Sequence, residues 1–168
     1  MPTTTNAIAS GALRSFAAQF GVLQTSWAFG KSWSFPEWFS VKVGLEGAGI
    51  QVESPPPELR RRDGKVEKNL VDMLINDQIK EEFEDKSLTV LVLVTGDVDH
   101  YSMVKKYLGR GVSVHIVGQS RESIARVYGE LEQERLDEAY LQGKSDVDLT
   151  TRVLSDIFSV PELASATP

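Results

Sequence analysis

The chain has 168 residues, no cysteine and a formal net charge of −6. That length suits one domain or at most two, and 41% hydrophobic with 25% charged residues can bury an ordinary core, which excludes wholesale disorder. Disulfides and cysteine-based zinc sites are excluded, and two histidines, His100 and His115, are too few for a histidine-rich metal site. No apolar run approaches the roughly 20 residues of a membrane span, and no basic stretch precedes an apolar one at the start. The expected class is therefore a soluble intracellular domain, cytoplasmic and without a membrane partner. The acidic balance argues against a general nucleic-acid coat, but not against an acidic metal site that meets nucleic acid locally.

In chain order, residues 1–9 read as a disordered lead-in. Leu13, Phe16, Ala17 and Phe20 then recur at helical spacing, with Gly21 as the stop. Residues 22–29 alternate and are rich in strand formers. Residues 27–39 gather three tryptophans around a proline, an irregular stretch before a short helix. Residues 50–53 read as a strand, ended by the three prolines at 55–57, and residues 58–65 as an exposed charged loop. Residues 66–83 form an expected helix with two apolar faces. The unbroken run at 88–97 predicts a central parallel strand covered on both sides. A helix over 100–109, a second buried strand over 112–118, a long helix capped by Ser120 and running to Leu141, and a last helix over 148–158 complete the reading. The alternation predicts an α/β fold, Rossmann-like, with a mostly parallel sheet flanked by helices.

Ligands of such sheets bind at the carboxyl ends of the strands. There the run reaches Thr95-Gly96-Asp97-Val98-Asp99-His100. Asp97 and Asp99 are close enough in sequence to share one cation, and magnesium needs only a few hard oxygen ligands because it keeps several waters. The competing reading is local: Asp97 caps the next helix and Asp99 lies in its first turn, where the helix dipole favours negative charge. Asp72 is a third candidate, a carboxylate among apolar residues that needs a partner. Asp77, on another face of that helix, is a fourth, and reads more simply as a helix aspartate paired with a nearby Lys or backbone donor.

Lys68-Asn69-Leu70-Val71-Asp72, with Asp77 five residues on, followed by LVLVTGDVDHYSMVKKYLGRGVSVHIVG, resembles the NYN domain, the LabA-like branch of the PIN-like ribonucleases. The resemblance covers about residues 10–120 and divides the chain into a PIN-like domain at 10–119 and a helical extension at 120–168. It implies a divalent-metal-dependent ribonuclease in which Asp72, Asp97 and Asp99 are the catalytic, metal-holding carboxylates for Mg²⁺ or Mn²⁺, with Thr95 and Asp77 supporting. Single-stranded RNA is the implied partner.

The family opens with an apolar strand ending in D-x-x-N, whose Asp is a main metal ligand. Taking Asn6 as that Asn puts Thr3 at the Asp position, so the domain reads as truncated at its N-terminus and its activity as reduced or absent. Asp77 or Glu53 are the substitutes within the chain. A missing strand would also leave sheet edges open to another protein or a second copy of this chain, as could the C-terminal helices. The alternative function is thus a non-catalytic relative that binds RNA or a protein.

Arg60, Arg61, Arg62, Lys65 and Lys68 form a basic patch next to the aspartate helix, suited to an RNA backbone, or simply a solvated loop. Trp27, Trp33, Phe35 and Trp38 read as aromatics closing a core. Trp33, beside Lys31, Ser32 and Ser34, is the one best placed to stack on a base. His100 and His115 read as structural.

Overall fold

The computed structural model describes residues 4–30, 36–56 and 68–157. The chain divides into two compact units, the first running to Ile79 and the second beginning at Lys80.

The first unit contains helix α1 (Thr4–Ala18), strand β1 (Trp27–Phe29), helix α2 (Pro36–Gly47), strand β2 (Gln51–Glu53) and the start of helix α3 (Lys68–Lys86). Helix α1 begins inside the stretch expected to be a loose lead-in, and the strand expected over 22–29 shrinks to three residues. Proline at the first position of α2 forfeits no bond, because that N–H has no partner within a helix. Strands β1 and β2 pair in parallel, Trp27 opposite Gln51 and Phe29 opposite Glu53, with α2 as the crossover. Trp27 and Phe29, two apart and therefore on one face of β1, stack with centroids 5.9 Å apart. The Arg14 guanidinium donates through Nη1 to the Ala48 carbonyl just past α2, where a cation meets the negative end of the helix.

The second unit carries the larger sheet. Strands β3 (Val90–Leu93), β4 (Ser113–Gly118) and β5 (Leu149–Val153) lie in the order β3-β4-β5, all parallel. Helix α4 (Tyr101–Leu108) connects the first pair and helix α5 (Arg126–Leu141) the second, and a short helix α6 (Leu154–Ile157) follows β5. Val104, Tyr107 and Leu108 recur at helical spacing on α4 and are buried, and Val114, Ile116 and Val117 of β4 are fully buried. Phe83, on the later part of α3, packs against Tyr107 at 5.1 Å between centroids.

Three expectations are corrected here. The central strand is β4; β3 has a paired neighbour on one side only among the described residues, and Val94 just beyond it is 50% exposed. The last segment is a strand before it is a helix: Leu149, Thr151 and Val153 alternate inward while Arg152 stays exposed, a period of two that suits β-branched residues on a pleated surface. Residues beyond 120 are accordingly not a purely helical extension, since they supply a strand to the sheet. Finally, Ser120 does not start α5. It caps a 3-10 turn at Arg121–Ser123, its Oγ accepting from the Ser123 N–H while Ser123 Oγ accepts from the Ser120 N–H, and α5 begins only at Arg126. No helix among the described residues is long and apolar enough to cross a membrane.

Candidate functional site

The carboxyl end of β3 leads into Thr95-Gly96-Asp97 and a 3-10 turn at Val98–His100. Asp97 is anchored at three points. Its N–H donates to Thr95 Oγ1 at 3.2 Å. Its carboxylate accepts the Asp99 N–H through Oδ1 at 3.1 Å, which caps the turn. Its carbonyl accepts the Tyr128 phenol at 2.7 Å and, more loosely, the His100 N–H at 3.3 Å. The capping role foreseen for Asp97 is thus present, on a 3-10 turn. A carboxylate has about four lone-pair sites, so one cap bond does not exhaust its capacity. Asp99 is exposed, whereas His100, one residue on, is buried.

Two glycines let the loop before α5 close over this strand end. A Cβ on Gly96 would lie 2.3 Å from the Ser123 carbonyl oxygen, and one on Gly118 would lie 2.4 Å from Ile124 Cγ1. Only glycine admits approach this close. The loop is then tied down where the Ala125 N–H donates to the Gly96 carbonyl at 2.8 Å. A cleft of about 690 Å³ opens beside it, lined by Thr95, Asp97, Gln119, Glu122 and Ser123 on its polar side and by Val94, Val98 and Leu154 among its apolar walls.

The local field is negative. Burial raises the Tyr128 phenol well above its ordinary range, and the charges of Asp97 and Asp99 raise it further. The phenol therefore keeps its proton and remains a donor to Asp97 at any ordinary pH. A cation at the two carboxylates would meet the same field with the favourable sign. Magnesium and manganese accept one or two protein carboxylates and complete their shells with water or substrate phosphate, so Asp97 and Asp99 suit such an ion. Among the described residues, no group of three or more His, Cys, Asp or Glu side chains is arranged to hold a metal.

Thr95, Asp97 and Asp99 are thus brought together in the second unit. Asp72 and Asp77 belong to the first, on α3, where five residues turn the helix by about 140° and put them on different faces. Asp72 is half-buried and Asp77 exposed. Arg60, Arg61, Arg62 and Lys65 lie outside the described residues, as do Trp33 and Phe35. Lys68 is the first residue of α3. Of the residues that shape the site, Tyr128 escaped sequence reading, whereas Gly118 closes the quoted motif. Tyr128 stands in a helix that reads as a charged, solvated face, and Leu131, three residues on, is buried with it.

No protein-family model matches this chain, and neither a curated protein nor a solved structure matches it.

Proposed function

We propose that the protein hydrolyses phosphodiester bonds of RNA in the manner of an NYN-type, divalent-metal-dependent ribonuclease, with Asp97 and Asp99 as the carboxylates that hold Mg²⁺ or Mn²⁺. The observation that supports this best is the placement of two aspartates, two residues apart, on a turn just past the carboxyl end of a parallel strand, with Asp97 lining an open cleft. The bound ion would neutralise charge on the scissile phosphate and acidify a water. Thr95 would hold the Asp97 backbone. Val94 and Val98, both half-exposed at the cleft, would give an apolar surface against which the nucleotide rests. The basic residues Arg60, Arg61, Arg62, Lys65 and Lys68, read in the sequence as a patch suited to phosphate, would contact an RNA backbone.

A second reading is favoured by the cap bond from the Asp99 N–H to Asp97: the aspartates shape a turn, and the chain binds RNA or a protein without cleaving it. Labelled single-stranded RNA incubated with the chain in Mn²⁺, Mg²⁺ or EDTA separates the two. Cleavage that requires the metal and drops about a hundredfold or more in both Asp97→Asn and Asp99→Asn supports the nuclease, being the size of loss typical for a charge-stabilising group. RNA left intact by folded protein, or cleavage undiminished in both variants, overturns it.

A further inference from the structure

We infer that Tyr128 is a positioning residue for the Asp97–Asp99 site, holding the Asp97 peptide through its phenol. The inference rests on the cation-binding reading of those aspartates. The Asp97 carbonyl belongs to the peptide that joins Asp97 to Val98, the first residue of the turn whose third N–H, that of His100, reaches back to the same carbonyl. Rotation of this peptide would swing the turn against the Asp97 side chain and change the spacing of the two carboxylates. Thr95 restrains only the amide before Asp97, and the cap bond to Asp99 is made within the turn itself. Tyr128, on a distant helix, donates to the carbonyl of this peptide at 2.7 Å.

That helix is well suited to the task. Tyr128 is fully buried, its ring meets Tyr101 edge to face at 5.8 Å, and Tyr101 begins α4 directly after the turn. The Tyr128 N–H donates to the Ala125 carbonyl at 3.0 Å, and the Ala125 N–H donates to Gly96. The N-cap and first turn of α5 therefore grip two consecutive carbonyls, Gly96 through the Ala125 amide and Asp97 through the Tyr128 phenol. A phenylalanine would fill the same space but lose the second grip.

The test is Mn²⁺ affinity of the full chain, read from the electron paramagnetic resonance signal of free Mn²⁺, for the wild type, Tyr128→Phe, Asp97→Asn and Leu131→Val. Leu131 is a buried residue of the same helix, so its trimming loosens α5 without touching Asp97. Denaturant unfolding of each variant gives the accompanying loss of stability. The expected result is binding that Asp97→Asn abolishes, Tyr128→Phe weakens about tenfold, as loss of a residue orienting a metal ligand does, and Leu131→Val leaves unchanged. Wild-type affinity in Tyr128→Phe, or an equal loss in Leu131→Val, overturns the positioning role while the cation site stands. No Mn²⁺ binding by the wild type, or binding unaffected by Asp97→Asn, overturns the cation site and the positioning role with it.

Discussion

His115 stands within the buried strand β4 with 5% of its surface exposed, its Nδ1 2.6 Å from Thr150 Oγ1 on β5. Burial lowers the pKa of the imidazole from the usual 6.5, and the charge of Arg152 lowers it further. The folded state therefore binds the proton less readily than the unfolded chain. This contribution to stability is fully present above about pH 6.5 and is lost as pH falls through the lower, folded-state value. Denaturant unfolding followed from pH 7 downward should show stability declining with acid, and His115→Gln should flatten the first part of that decline. An unchanged slope in the variant would remove His115 as its source.

At the scale of elements, the outer side of β5 shows how an open sheet edge is closed. Helix α5 extends Glu132 toward it, whose carboxylate accepts the Thr151 N–H at 2.5 Å and the Thr151 hydroxyl at 3.0 Å. Arg135, one turn on, donates to both carboxylate oxygens of Asp148 at the entry to β5, and this hydrogen bonding holds the Asp148 carboxyl below its usual range. One helix thus anchors a strand through two polar links and occupies a backbone donor that could otherwise recruit another chain. Thr151 is buried, so Glu132→Ala leaves its N–H unsatisfied. The expected cost is about 1–3 kcal/mol, measured by chemical denaturation, together with a greater tendency to self-associate in light scattering.

For the whole molecule, the consequence is that residues beyond 120 are integral to the second unit. Strand β4 is buried because β3 pairs with one side of it and β5 with the other. A chain ended at Gln119 would expose Val114, Ile116 and Val117 and release the Gly96 and Asp97 carbonyls from α5. Such a chain should lose the cooperative thermal transition of the second unit in circular dichroism. A transition like that of the full chain would show that the unit folds without α5 and β5.

Some elements were legible from local pattern alone. Helix α4 and strand β4 fall within a residue or two of their expected limits, because each has an apolar pattern that neighbouring residues suffice to define. The same holds for the position of Thr95, Asp97 and Asp99 just past a parallel strand, where a strand-forming run meets glycine and aspartate. The order of strands was not legible. The β3 run is as apolar as β4, and pairing between strands, not composition, decides which is central. Nor was β5 legible, since Leu149, Thr151 and Val153 face inward only because β4 lies beside them. Asp97 itself shows the division. The sequence by itself determined that a carboxylate stands at the end of this strand. The fold alone decided what holds it there, by bringing a phenol 31 residues away to within 2.7 Å of its carbonyl, a contact that depends on the close approach permitted by Gly96 and Gly118.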